Sequence, residues 1–130
     1  MQREIKFRVW HPFYGMMKPQ DIFQMTSFKY DNEDGSKTLE KYYEPDVTFL
    51  QYTGLKDKNG VEIYEGDFIQ NVADNGKRLS IFEIRWQQAC CGFVKEREDG
   101  NTFTLEISKY FEVIGNVHEN PELLTRAVGV

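Results

Sequence analysis

The sequence predicts a mainly β fold, a β-rich α+β chain in which a small antiparallel, SH3-like barrel carries additional N-terminal strands and short helical pieces. Three observations lead there. Turn-forming clusters recur about every ten residues, the spacing of short strands in a barrel or sandwich. Aromatic residues make up 15% of the chain, and they favour pleated, half-buried positions. Apolar and polar residues alternate in short runs, the period of a strand and not of a helix. The 130 residues fit one domain, 1–130, with N-terminal strands over 1–55, a barrel-like part over 56–119 and a C-terminal helical turn and tail over 120–130.

Ile5, Phe7 and Val9 alternate with Lys6, Arg8 and Trp10, which gives a first strand one apolar face. His11-Pro12 stops it, and Phe13-Tyr14-Gly15 turns the chain toward Met16-Met17. Asp21–Tyr30 clusters Ile22, Phe23, Met25, Phe28 and Tyr30 without a helix cap, so strand is preferred. A polar loop, Asp31–Ser36, leads to Lys37–Tyr43, a short strand or one helical turn. Glu44-Pro45-Asp46 breaks the chain before a strand over Val47–Tyr52. Val61–Tyr64 is short and β-prone. Phe68–Val72 and Leu79–Trp86 flank Asp74-Asn75-Gly76, a hairpin signal. On the second arm Phe82, Ile84 and Trp86 share a face, and Glu83 and Arg85 share the other. Gln87–Gly92 is a turn, and Asp99-Gly100 is a second hairpin turn between Phe93–Glu98 and the alternating Phe103, Leu105 and Ile107. Tyr110–Val117 is an apolar strand interrupted at Gly115. Asn120-Pro121-Glu122 has the form of a helix start, with Asn as cap and Pro at the first helical position.

Between the two strand-rich halves lies Gln51–Asn71, QYTGLKDKNGVEIYEGDFIQN. Thr53-Gly54-Leu55-Lys56 ends one apolar run, and Asp57-Lys58-Asn59-Gly60 is a turn in which Asp bonds its own backbone two residues on. Glu65-Gly66-Asp67 breaks the next short strand, and Gly66 is expected at positive φ, where a small barrel turns a corner. Turn chemistry alone accounts for every Gly, Asn and Asp here.

This stretch, through Gln51, Tyr52, Thr53, Gly54, Leu55, Asp57 and Gly60 to Ile63, Tyr64, Glu65, Gly66 and Asp67, resembles the YopX family of phage and prophage proteins. The resemblance resumes at Val113, Ile114, Gly115 and Asn116 and at Asn120 and Pro121, and Arg3–Trp10 with Met16-Met17 looks like the family's opening. It does not extend to residues 25–44 or to Cys90-Cys91. It implies a small β-rich fold, a phage or prophage origin and hence the host cytoplasm, and no particular activity. The motif residues themselves read as structural.

The net charge of −5 argues against binding duplex DNA by bulk charge. No apolar run approaches the ~20 residues that span a bilayer, and Met1–Lys6 has no apolar signal segment, so a soluble cytoplasmic protein without a membrane partner is expected. His11 and His118 have no carboxylate or cysteine at ligand spacing, so no metal is assigned. Cys90-Cys91 is no redox motif; in a strand the two point to opposite faces, so one buried and one exposed thiol is expected. Gly35-Ser36-Lys37-Thr38 departs from phosphate-loop spacing. Glu65 and Asp67 stand near enough for acid–base work, but a turn-bonding role is expected for Asp67. No catalytic residue and no cofactor is assigned, and an enzyme is not expected.

Arg85, Trp86, Phe93, Lys95 and Arg97 are the candidate nucleic-acid face, because small barrels bind single strands through aromatics flanked by cations. That reading needs Arg85, Lys95 and Arg97 on one face; Glu83, Glu96 and Glu98 balance them as a solvated face would. The leading expectation is therefore a non-enzymatic accessory module that binds protein, itself included. A homo-oligomer is expected through the sheet edge near Val47–Tyr52 or the Tyr42-Tyr43 surface. A host or phage protein is the other candidate partner. Single-stranded nucleic acid comes second and an enzyme of unknown class third.

Overall fold

Three hairpin loops of one kind frame the fold. In Asp57–Val61, Ala73–Lys77 and Arg97–Asn101 the first N–H donates to the fifth carbonyl, at 2.8, 2.9 and 2.8 Å. The fourth residue is Gly60, Gly76 or Gly100 at φ 81, 83 or 87, and its N–H donates back to the first carbonyl. An Asp or Asn inside each loop locks it: Asp57, Asn75 and Asp99 each accept, through Oδ1, the N–H two residues on. Asn75-Gly76 and Asp99-Gly100 thus mark hairpins as expected, with three residues in each loop.

The computed structural model describes residues 4–20, 27–31, 33, 37–41, 47–106 and 109–123. It divides into two compact units, Phe7–Leu50 and Met1–Lys6 with Gln51–Val130. In the first unit β1 (Phe7–His11) pairs antiparallel with β2 (Gly15–Met17), Val9 opposite Met17 and His11 opposite Gly15. β3 (Ser27–Asp31) pairs with β4 (Lys37–Lys41), so Lys37–Lys41 is strand and not a helical turn. The expectations for Ile22, Phe23 and Met25, and for the Tyr42-Tyr43 surface, lie outside the described residues.

β5 (Thr48–Lys56) starts in the first unit and finishes in the second, where it pairs with β6 (Glu62–Tyr64). The run expected to end at Thr53-Gly54-Leu55-Lys56 continues through it. Gly54, at φ 88, takes up the register shift between Tyr52 and Lys56 as a bulge, and the strand survives the interruption. β7 (Asp67–Val72), β8 (Arg78–Gln87), β9 (Gly92–Arg97), β10 (Thr102–Thr104) and β11 (Phe111–Asn116) form one antiparallel sheet. Its order is β10-β9-β8-β7-β11, and it curls into a half-barrel. β11 bulges between Val113 and Gly115, where the sequence places its interruption.

Ile63, Ile69, Phe82, Ile84 and Phe111 form the buried cluster of this unit, with Leu105 and Val113 packed against it. Each such side chain contributes roughly 1.5–3 kcal/mol by leaving water. Phe82 meets Phe111 and Phe103 edge to face, with ring centroids 5.8 and 6.0 Å apart. Leu105 joins the core from outside the ladder: β10 stops at Thr104, and the Glu106 N–H turns back to the Thr104 carbonyl (2.9 Å). Helical backbone among the described residues is confined to short pieces, the 3-10 turn Gln88–Cys90 among them. No described helix is long and apolar enough to cross a membrane.

Candidate functional site

The motif residues close turns and cover an edge. Asp57 is 7% exposed, and its carboxylate accepts three backbone N–H groups. Oδ1 takes Asn59 (2.8 Å) and Val61 (2.9 Å), and Oδ2 takes Val113 (2.9 Å). The Lys58 N–H donates to the Phe111 carbonyl at 2.9 Å. The β5–β6 loop thereby occupies the hydrogen-bonding positions that a further strand would use on the outer side of β11.

Gly66, at φ 87, donates its N–H to Ile84 O (2.8 Å) and accepts Val117 N–H (2.9 Å), a close passage between strands. Asp67 is 1% exposed, and its Oδ2 accepts the Tyr64 N–H at 2.7 Å, the turn-bonding role. Thr53 Oγ1 donates to Ile63 O (2.7 Å), and Gln51 O accepts the Glu65 N–H (2.9 Å). Tyr52 stacks obliquely on Tyr64 with centroids 5.4 Å apart. Its N–H donates to Lys6 O (2.9 Å) while its register partner on β6 is Tyr64, so β5 is flanked on both sides here and offers no free edge at Tyr52.

Near the C-terminus Asn116 Oδ1 accepts the N–H groups of His118 (3.0 Å) and Glu119 (2.9 Å). Asn120 Oδ1 accepts the Asn116 N–H (3.3 Å), so its side chain turns back toward β11, while helical backbone begins at Glu122 as expected and the Leu123 N–H donates to Asn120 O (3.1 Å). A Cβ on Gly115 would lie 2.5 Å from Asn120 Oδ1, which fixes glycine there. Ile114 is half-buried, whereas Leu55 and Pro121 are exposed.

The β8–β9 ladder divides the five candidate nucleic-acid residues. Phe82 faces Arg97, Ile84 faces Lys95 and Trp86 faces Phe93, while Arg85 faces Val94 and Glu83 faces Glu96. Directly opposed residues share a face. Trp86, Phe93, Lys95 and Arg97 therefore stand on the face of Phe82 and Ile84, and Arg85 stands on the opposite one. The expected row of Arg85, Lys95 and Arg97 does not form, because residues of opposite parity fall on opposite faces of the pleat.

Each cation is also engaged. Arg85 Nη1 lies 2.7 Å from Glu96 and Nε 3.4 Å from Glu83. Arg97 Nη2 lies 2.6 Å from Asp99, and this bond, with the Asn101 N–H, holds the Asp99 carboxyl down at about 2. The Arg97 guanidinium stands 5.2 Å from the Phe103 ring centre. Lys95 Nζ lies 4.6 Å from the Phe111 ring centre and 5.4 Å from that of Phe82, and it donates to Glu106 O (3.2 Å). Burial pushes the Lys95 ammonium below its ordinary pKa, partly opposed by Glu106. Burial also pushes Glu83 up, opposed by Arg85 and reinforced by Glu96. Trp86, 48% exposed, meets Phe93 edge to face at 5.2 Å.

Two features escaped the sequence. The first is the cysteine pair. Gln88–Cys90 is a 3-10 turn that ends at Cys91 in left-handed backbone (φ 50, ψ 44). Both thiols are free and both are exposed, so the expectation of one buried thiol is corrected. Strand alternation does not govern a turn. Cys90 borders a cleft of about 420 Å³ together with Gln87, Phe93 and the three residues of β10.

The second is the β10 edge itself. Arg97 and Asn101 form a hydrogen-bonded pair, so by alternation Thr102 and Thr104 direct their backbone groups away from β9. Thr102–Thr104 are exposed throughout. The register arithmetic from the Asp99-Gly100 loop was the available signal. His11, by contrast, is buried, and its Nδ1 accepts the N–H groups of Phe13 (3.0 Å) and Tyr14 (3.2 Å). Among the described residues no three His, Cys, Asp or Glu gather as metal ligands.

The family model described as YopX protein matches residues 6–125. Protein EF1440 from Enterococcus faecalis, a solved structure, is 27% identical with a TM-score of 0.55, over 95% of this chain and 99% of that one. YopX from Bacillus subtilis is 20% identical with a TM-score of 0.53, over 94% of this chain and 98% of that one, a likeness of fold. No curated protein matches the chain. With its loop-and-edge motifs in place and the family model spanning nearly its whole length, the chain belongs to the YopX family.

Proposed function

We propose that this chain is a phage- or prophage-encoded accessory module of the host cytoplasm that works without catalysis, by binding protein, and first of all a second copy of itself. One observation carries the reading. The half-barrel has two outer strands; β11 is covered by the Asp57 loop, whereas β10 is exposed at every residue. An uncovered edge is a template for another strand. β10 is also self-complementary: a two-fold axis at Phe103 sets Thr102 of one copy against Thr104 of the other, and both direct their backbone groups outward. Phe103, 39% exposed, adds apolar area. The same reading takes the curled sheet as SH3-like and leaves a host or phage protein as the other occupant of the edge.

Light scattering over a wide concentration range tests it. A dimer is expected at high micromolar concentration in the wild type, and a monomer in Thr102→Pro, which removes an edge donor. A wild-type monomer throughout overturns self-association and moves the weight to a heterologous partner.

A second reading is single-stranded nucleic-acid binding, favoured by Trp86, Phe93, Lys95 and Arg97 sharing one face. A salt-dependent gel shift with single-stranded DNA and RNA tests it; the ion pairs of Arg85 and Arg97 lead us to expect no shift.

A further inference from the structure

We propose that Cys90 and Cys91 form a two-sulfur chelate for a soft, thiophilic Lewis acid of the trivalent organoarsenical class. The two-sulfur centre needs only the turn and is independent of self-association; the neighbouring cleft adds a seat for the substituent. In a strand, neighbouring side chains diverge to opposite faces and cannot close on one centre. Here the 3-10 turn and the left-handed Cys91 replace the strand. Cys90 Sγ lies 3.6 Å from Gln87 O, and Cys91 Sγ lies 3.5 Å from Gln88 O. Both sulfurs thus hang on successive carbonyls of one short turn, and both are exposed. Their bonds to carbonyls are weak and yield to a stronger ligand.

A direct disulfide between neighbours demands a sulfur–sulfur bond of ~2.05 Å and a tightly closed ring. Two bonds to a shared third atom accept wider spacing. Cys90 opens on the cleft of about 420 Å³ where Phe93 and Phe103 offer an apolar seat for an aryl group. With an aryl arsenoxide, two arsenic–sulfur bonds form and the arsenic–oxygen bond breaks. The two thiol protons leave with that oxygen as one water, and arsenic stays trivalent.

Phenylarsine oxide added to the reduced full chain tests this by intact mass and by thiol titration. One adduct per chain, formed with loss of one water, is expected to remove both titratable thiols, to survive excess glutathione and to be released by dimercaptopropanol. Cys90→Ser and Cys91→Ser are each expected to weaken binding by about 100-fold or more, the loss of a second tethered contact. One thiol lost per arsenic, exchange with glutathione, or equal binding by the single variants overturns the proposal. The thiol count is made on the wild type and so does not depend on how the variants fold.

Discussion

Asp57 does the work of several residues. One carboxylate satisfies Asn59, Val61 and Val113, and it ties positions 57 and 113 together. Asp57→Ala leaves three donors without their acceptor, so a loss of about 3 kcal/mol or more is expected in urea unfolding. Asp57→Asn keeps one acceptor oxygen but sets an amide where an acceptor stood, so about 1–3 kcal/mol is expected. Gly115 makes a sharper test, because the obstacle is one named side chain. Gly115→Ala pushes against Asn120 Oδ1 and Cγ and is expected to cost about 1–3 kcal/mol. Combining it with Asn120→Gly should recover part of that loss, and a double-mutant cycle reads the coupling. Strictly additive losses would place the strain elsewhere. The Asx role of Asp57 two residues on was legible in Asp57-Lys58-Asn59-Gly60. Its second oxygen was not, since a bond to Val113 crosses 56 residues and no local pattern carries it.

At the scale of the element, the β9–β10 hairpin is held by Arg97 and Asp99, with Asn101 donating to both Asp99 oxygens. Asp99 sits at about 2 in the fold against an ordinary 3.8, first because of the Arg97 bond. A carboxylate whose pKa is depressed by folding stabilises the fold above its unfolded value, and the contribution is lost as pH falls from that value through the folded one. The hairpin should therefore loosen between about pH 4 and pH 2. An NMR titration following the Asn101 amide checks this. In Arg97→Ala the Asp99 midpoint should climb toward 3.8, and an unmoved midpoint would deny the pair its role. Strand positions from Phe68 to Val117 were legible because Asn75-Gly76, Asp99-Gly100 and the alternation around Phe82 and Ile84 are local signals. The facing of Arg85 was not. A shift of one residue in pairing inverts every face, and the β8–β9 register is fixed by the turn between Gln87 and Gly92, whose length and type no local pattern announces.

At the scale of the whole molecule, the acidic balance and the ion-paired arginines weigh against the nucleic-acid reading, and association stays the proposal. The expected reversible dimer, abolished by Thr102→Pro, is the measurement on which that reading turns. The Asp57 loop has a further consequence for how such a molecule can grow. A sheet with one free edge pairs once through it and stops, since each copy consumes the free edge of the other. Release of the loop from β11 would give the same sheet two adhesive sides, front and back, and copies would then add without limit in a line. On the proposed reading the Asp57 carboxylate would act as a chain terminator. Its removal is expected to convert a finite particle into filaments, visible as turbidity and thread-like aggregates at concentrations where the wild type stays clear.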